Sequence, residues 1–406
     1  MRIRLHSNSV DNLTHTFVGA AIGEYATPAT ASPRIRLAAM TVGAIAANAP
    51  DADLLYTRIT DPPLGYLLHH RGHTHTVPGL AVLALLIWGV LWLRRRSAWK
   101  AGLTTRRWML LIAAALASHL LMDAANSYGT HPFYPVSFRW LYLDAIFVIE
   151  PWLWVILGTA LALNAARRSR FLIGGLTASL AAALTAIGLL HPAALAAMFA
   201  AVAACVYGTR TWDRHRRAGA ALLAVAVVFM VMPFVSRAAK ASARAAVLAS
   251  DGQVIDVVAD ANPGVPWCWS VLTLQQSDGG PGALLARRGT LSLFPGAWPA
   301  TSCASIRLTG QSSGEAITSD AIVWHRRWQT DLSELRALFA GNCHARAWLQ
   351  FGRVPYIQDG ALVDLRFESP TRQNFTRMRL PPESRECPSY ITSWEPPRRD
   401  VLGSPP

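Results

Sequence analysis

The stretch VPGLAVLALLIWGVLWL, Val77 to Leu93, contains no charged side chain. About 20 such residues span the hydrocarbon core of a bilayer as a helix. In lipid every backbone polar group must be satisfied within the segment, so a run of this kind can only be helical. Phe171 to Leu190 and Ala218 to Ser236 are likewise uncharged and of crossing length. Trp108 to Met122, Ala145 to Ala166 and Ala193 to Gly208 are shorter or interrupted, and Leu13 to Ala26 and Ile35 to Ala49 have the character of re-entrant or interfacial helices. The expectation is a mainly α, polytopic membrane domain of about six to eight segments. Composition agrees: 15% of the residues are charged and 52% hydrophobic, where soluble domains carry about 25% charged. The opening MRIRLHSNSV is polar and is not followed by an apolar core with a cleavage site, so insertion is expected to rely on the spans themselves.

The formal charge of +14 would suit nucleic acid, but no nucleic-acid motif accompanies it. The basic residues instead sit in short loops. Arg34 and Arg36, then Arg94, Arg95, Arg96, Lys100, Arg106 and Arg107, then Arg167, Arg168 and Arg170, then Arg210, Arg214, Arg216 and Arg217 all fit one cytoplasmic side. Arg237, Lys240 and Arg244, beyond the last span, would lie outside and run against that scheme. The opposite ends of the spans then bring NAPDAD, HHRGHTHT and the stretch from His119 to Asp144 to the outer face. Residues 166–248 read as additional transmembrane helices. Residues 249–395 change character: β-type runs such as QVIDVVA and ALVDLRF alternate with turns, and DLSELRALF reads as a helix with Asp331 as N-cap. This is a small α+β extramembrane domain, expected outside, followed by a Pro-rich tail at 396–406. Cys268, Cys303, Cys343 and Cys387 lie in it and are expected to form two disulfides of unspecified pairing; Cys205 lies in a span.

The chemistry-bearing residues cluster at the expected outer ends. His119 and Asp123 of SHLLMD share a helix face one turn apart, a spacing that can grip one metal ion. HHRGHTHT supplies imidazoles suited to zinc and similar ions, and Arg71 could hold an anion bidentately. The proline of NAPDAD breaks the preceding helix, so Asp51 and Asp53 project from a loop. DNLTHT offers Asp11 or Asn12 as a cap and His15 in the first turn. The stretch from Asn126 to Trp154 adds His131, Asp144 and Glu150 to a dense aromatic belt, and Glu150 stands out in an apolar run.

The segments DNLTHTFVGAAIGE, ANAPDADLLY, LLHHRGHTHT, SHLLMDAANSYGTHPFYP and YLDAIFVIEPWLW, in this order, resemble the bacterial family of inner-membrane predicted metal-dependent hydrolases whose founding member is a LexA-regulated membrane protein. The resemblance covers roughly residues 10–165 and implies a membrane-embedded hydrolase-like domain. Its expected metal ligands fall on His15, Asp51 or Asp53, His70, His75, His119 and Asp123. Glu150-Pro151 stands where the family shows Asp-Pro, and His73 replaces a small apolar residue, which leaves it outside the ligand set. The order of early His, Asp, His, then His-x3-Asp is more distantly similar to the zinc-dependent phospholipase C and P1-nuclease group, which implies phosphoester hydrolysis.

The expected cofactor is a divalent metal, zinc or manganese. It would activate a water and polarise the attacked oxygen, with Asp51, Asp53 or Asp144 accepting the proton and Arg71 holding a phosphate. The expected setting is the bacterial inner membrane, multi-pass, with membrane lipids as neighbours and a lipid or envelope substrate. A non-enzymatic metal-binding or scaffold protein is the alternative, with a filled coordination shell or no metal at all.

Overall fold

The computed structural model describes residues 12–60, 62–93, 103–137, 139–247, 253–276, 282–303, 319–369, 373–380 and 398–402. Asp11, the Arg94–Lys100 basic cluster and Cys387 lie outside the described residues. The first part of the chain is helical: α1 (Asn12–Ala26), α2 (Pro33–Asn48), α3 (Leu64–His69), α4 (Val77–Leu93), α5 (Thr105–Ala124), α6 (Pro151–Asn164), α7 (Arg167–Ala186), α8 (Pro192–Gly208) and α9 (Arg214–Ala246).

Three of these, α5, α7 and α9, are long and apolar enough to cross a membrane, or up to four if the segment from Leu64 to His75 and α4, bent by 67°, form one broken span. Among the described residues the expected six to eight are not reached. At 1.5 Å per residue, α1 with 15 residues, α2 with 16 and α6 with 14 fall short of a hydrocarbon core about 30 Å thick, and α8 with 17 stands at the lower limit. Ala145 to Glu150 do not extend α6, because Glu150 is its N-cap and Pro151 its first residue.

The short helices α1 and α2 form an intimate hairpin. A Cβ placed on Gly19 would lie 2.2 Å from the Gly43 carbonyl oxygen, so only glycine permits the approach. The far end of this hairpin is locked by charge. Glu24, fully buried, accepts from Arg36 at 2.6 Å and lies 3.6 Å from Arg214, while Arg36 and Arg217 also donate to Asn164. Basic residues from separate loops therefore gather at one end of the bundle, as the charge pattern predicts. His15 sits about 14 Å away along α1, at the opposite end.

The described residues of the C-terminal region form two antiparallel sheets. β1 (Gln253–Asn262), β2 (Val265–Gln276), β3 (Ala283–Ser292) and β4 (Ile322–Asp331) form a meander; β5 (Pro355–Gln358), β6 (Ala361–Asp364) and β7 (Met378–Arg379) form the second sheet. Between them lie α10 (Leu332–Gly341) and α11 (Cys343–Leu349), and the short α12 (Arg399–Leu402) follows β7. Asp331 caps α10 as the sequence implies, its Oδ1 accepting from the Ser333 amide at 2.7 Å. Cys268 and Cys303 are joined in a disulfide, Cys343 is also disulfide-bonded, and Cys205 is free.

The two parts are not merely tethered. The 33 residues of α9, about 50 Å long, carry its end under the first sheet, where Ala239 and Ala243 pack with Val257, Ala259, Trp269 and Trp324. The β1–β2 turn reaches back to α6: Gly264, at φ +74°, donates to Glu150 at 3.2 Å and accepts from the Trp152 indole at 3.1 Å. Glu150 thus caps α6 and pins this turn, which gives the carboxylate a structural role.

Candidate metal centre

Each chain break that positions the site has a local cause. Pro50 cannot continue α2, and the chain tightens into a 3-10 turn over Ala49–Leu55 that presents Asp51 and Asp53. A second 3-10 turn, His73–His75, is set by Thr76, which donates to the His73 carbonyl at 2.7 Å and accepts from the Gly79 amide at 3.0 Å to start α4. His119 and Asp123 lie one turn apart on α5, and His15 lies on α1.

Asp51, His75, His119 and Asp123 converge, all buried, with ligand-capable atoms within 4.8 Å of one another. The Nε2 atoms of His75 and His119 are 3.0 Å apart. His119 donates through Nδ1 to the Ala47 carbonyl at 2.6 Å, and His75 Nδ1 lies 3.1 Å from Asp53 Oδ2. With the protons on the Nδ1 atoms, both Nε2 lone pairs aim at the same small volume. Two lone pairs at that separation repel unless a proton or a metal cation lies between them. Asp123 Oδ2 is 3.2 and 3.4 Å from these nitrogens and Asp51 Oδ1 3.5 and 3.6 Å. Neither oxygen of Asp51 accepts a hydrogen bond, nor does Asp123 Oδ2. Buried carboxylate oxygens left this way are costly. The donor set, two imidazoles and two carboxylates, fits a divalent ion such as zinc or manganese.

Asp53 plays a different part. It accepts from His70 Nδ1 at 2.9 Å, the Arg71 amide at 2.9 Å, Thr74 Oγ1 at 2.8 Å and His75 Nδ1 at 3.1 Å. Burial alone would raise its carboxyl, but the His70 and His75 contacts override this and hold it below the usual carboxylate range. A second grouping, Asp51 with Asp53 and His70, has ion-holding spacing. Asp53 is nonetheless saturated by donors, an arrangement that orients a ligand.

Arg71 sits at φ +58°, in the left-handed region that non-glycine residues seldom enter. Its Nη2 donates to Asp123 Oδ1 at 2.8 Å; Nη1 donates to the carbonyls of Asp123 and Gly129 and to Asn126 Oδ1, and the guanidinium lies over the Tyr128 ring at 4.3 Å. These bonds aim both terminal nitrogens at the protein, so here Arg71 holds Asp123 instead of presenting a fork to a phosphate. Counting the histidines neutral, three buried carboxylates face this one guanidinium, leaving two negative charges for a divalent ion to balance.

His15 stacks on His119, ring centroids 3.9 Å apart, with Nε2 3.7 Å from Asp123 Oδ1 and Nδ1 unpartnered. His15, Arg71, Asp123 and Asn126 share a small cavity with Ile146 and Phe229. His73 is exposed, in line with its exclusion from the ligand set. Asp144 does not join the cluster. It is buried between Arg353 at 2.9 Å and Lys240 at 2.5 Å, so the expected role as proton acceptor is not served there. Sequence reasoning passed over Asn126, which accepts from Arg71 and from the Tyr128 and Gly129 amides. Its place three residues after Asp123, ahead of a glycine, was the available signal.

Residues 10–210 match the model of a family described as YdjM inner membrane protein. The uncharacterized protein YfhP of Bacillus subtilis strain 168 is 30% identical over 149 residues, covering 36% of this chain and 43% of that one. The chain thus spans less than half the length of this curated relative. No solved structure matches. The match supports the family resemblance carried by the five motifs, and with the apolar helices it makes this a membrane protein bearing a buried Asp/His cluster that could hold a metal ion.

Proposed function

We propose that this membrane protein is a metal-dependent hydrolase that attacks a phosphoester or related bond of a lipid or envelope substrate. The observation that carries the reading is the pair of facing Nε2 atoms 3.0 Å apart, each imidazole engaged from behind through its Nδ1. In this reading His75, His119, Asp123 and Asp51 are the ligands, with His15 and His70 beside them. A divalent ion held there would supply a water of lowered pKa and polarise the attacked oxygen.

The chain's own groups do the rest. Asp53 and the Ala47 carbonyl hold the Nδ1 side of both imidazoles and so turn each Nε2 toward the cluster. Arg71 fixes Asp123, so that one of its oxygens stays turned to the cluster. Asp51, without hydrogen-bond donors, has an oxygen available to accept a proton from the attacking water. His15, with its unpartnered Nδ1 on the small cavity, is placed to return a proton to a leaving group. The Cys268–Cys303 disulfide favours an oxidising compartment for the C-terminal region, hence an outward-facing site in the inner membrane.

The test is metal content by mass spectrometry on detergent-purified protein, wild type against His119→Ala with Asp123→Ala. About one or more zinc or manganese ions per chain, lost in the double variant, followed by turnover of phosphoester substrates, bears the reading out. Wild type without stoichiometric metal sinks it. Metal without turnover of any phosphoester favours the non-enzymatic alternative.

A further inference from the structure

A second cavity, of about 780 Å³, lies between α9 and the C-terminal sheet. Its walls are Val231, Met232, Phe234 and Ala238 of α9 on one side and Trp267 and Phe294 on the other. The lining is almost wholly apolar. Glu150 reaches it, but its oxygens accept from the Trp152 and Gly264 amides, so the charge is not offered to the lumen. Phe234 and Phe294 are 66% and 62% exposed at its edge. Soluble surfaces seldom leave two such rings bare around one apolar cavity. Here one of them belongs to a membrane-crossing helix, which places the opening where lipid chains are.

The charge beside the opening points the same way. Arg237 is exposed and holds its guanidinium over the Phe234 ring at 5.4 Å. It is one of the basic residues that run against the charge pattern of the other loops. Lys240, its neighbour in the same segment, is accounted for by the ion pair with Asp144. A guanidinium resting on an aromatic at the mouth of an apolar cavity suits a ligand with an anionic head and a hydrocarbon tail.

We infer that this cavity binds an anionic membrane phospholipid, with one acyl chain between α9 and the sheet and the head-group phosphate at Arg237. This goes beyond the hydrolase reading and does not depend on it. Ile146, which lines both this cavity and the small one beside His15 and Asp123, separates the lipid chain from the metal cluster.

The experiment reconstitutes the full chain in nanodiscs containing phosphatidylglycerol or phosphatidylcholine with a diazirine on one acyl chain. Crosslinked peptides are then mapped by mass spectrometry. Lipid merely surrounding the helices labels their outer faces. Occupancy of the cavity also labels the peptides bearing Trp267 and Phe294, more with phosphatidylglycerol than with phosphatidylcholine. Ala238→Trp, which fills the cavity from an exposed helix position, abolishes labelling of those two peptides; Arg237→Gln removes the preference between the two lipids. Thermal melts confirm that both variants are folded, and Val231→Ser serves as a second test should Ala238→Trp fail to fold. Labelling confined to the helices, or unchanged by filling the cavity, overturns the acyl site. Equal labelling by both lipids overturns the head-group assignment. The measurement is repeated on the His119→Ala, Asp123→Ala protein, where labelling persists whether or not the hydrolase reading stands.

Discussion

Asp53→Asn separates a ligand from the group that orients it. Asp53 Oδ1 takes one donor, from His70, and Oδ2 takes three, from the Arg71 amide, Thr74 and His75. Asparagine keeps the shape, so its amide oxygen can serve the three donors while its NH2 turns His70 to its other tautomer. What is lost is the charge behind His75. A neutral acceptor makes a hydrogen bond about half as strong and leaves Nε2 a poorer donor to metal. Removing partners of this kind lowers metal affinity about 10–100-fold, or about 1.4–2.7 kcal/mol. Zinc competition against a chromophoric chelator in detergent reads that change directly. Asp53→Ala is harsher, since the three donors on Oδ2 are orphaned at about 1–3 kcal/mol each, and it is expected to fail to fold. A folded Asp53→Asn protein with wild-type affinity, beside an Asp53→Ala protein of wild-type stability, would refute the orienting role.

Other expectations follow from the same geometry. Replacing Cys268 and Cys303 by serine opens a loop of sequence separation 35, which costs about 4 kcal/mol by chain entropy and is read by denaturant unfolding of the purified protein. Arg353→Met leaves Asp144 and Asp256 without the guanidinium that bridges them; breaking a buried pair costs about 3–5 kcal/mol, visible as a lower midpoint in thermal melts. Asp256 also gives the pH dependence its sign. Burial alone would raise its carboxyl, but Arg353 and then Arg398 hold it below the usual range. Its contribution is therefore complete above the unfolded-state value near 3.9 and fades as pH falls below it, so the acid limb of a stability profile should flatten in Asp256→Asn. Gly43→Ala sets a methyl about 2 Å from the Gly19 carbonyl, and the forced separation of α1 from α2 should lower both stability, by about 1–3 kcal/mol, and metal occupancy by moving His15.

The convergence of Asp51, His75, His119 and Asp123 was legible because its signals are local. His119 and Asp123 obey helical spacing, and Pro50 and Gly72 announce the breaks that turn Asp51 and His75 inward. Asp53 and Asp51 could not be told apart. Which carboxylate is saturated depends on Arg71 and Thr74, 18 and 21 residues on. The ion pair of Asp144 could not be foreseen for the same reason, since its partner Arg353 stands 209 residues away and no periodicity announces such a pair. Hydropathy reads apolarity but not length: α1 and α6 are apolar partly from burial among their neighbours, and the Glu150 cap fixes where α6 begins, so among the described residues fewer helices reach crossing length than the apolar runs suggest. The strands QVIDVVA and the Asp331 cap were readable, while the return of the β1–β2 turn onto α6 depends on Gly264 meeting a glutamate from another part of the chain.

Tyr128 lies under Arg71 on one side and packs against Phe351, Phe367 and Phe375 on the other, in a core shared with Leu64, Leu67 and Trp348. Arg366 reaches across the same seam to the Ser127 carbonyl at 2.7 Å. The Asp/His cluster and the C-terminal sheets are thus coupled through one packed seam, and should unfold together. An ion that binds only the native state stabilises it by RT ln(1 + [L]/Kd), about 2.7 kcal/mol at a hundredfold excess over Kd. That free energy is delivered to every strand coupled through Tyr128. The melting of a sheet that touches no ligand atom thus becomes a thermometer for the occupancy of a site buried in the helices.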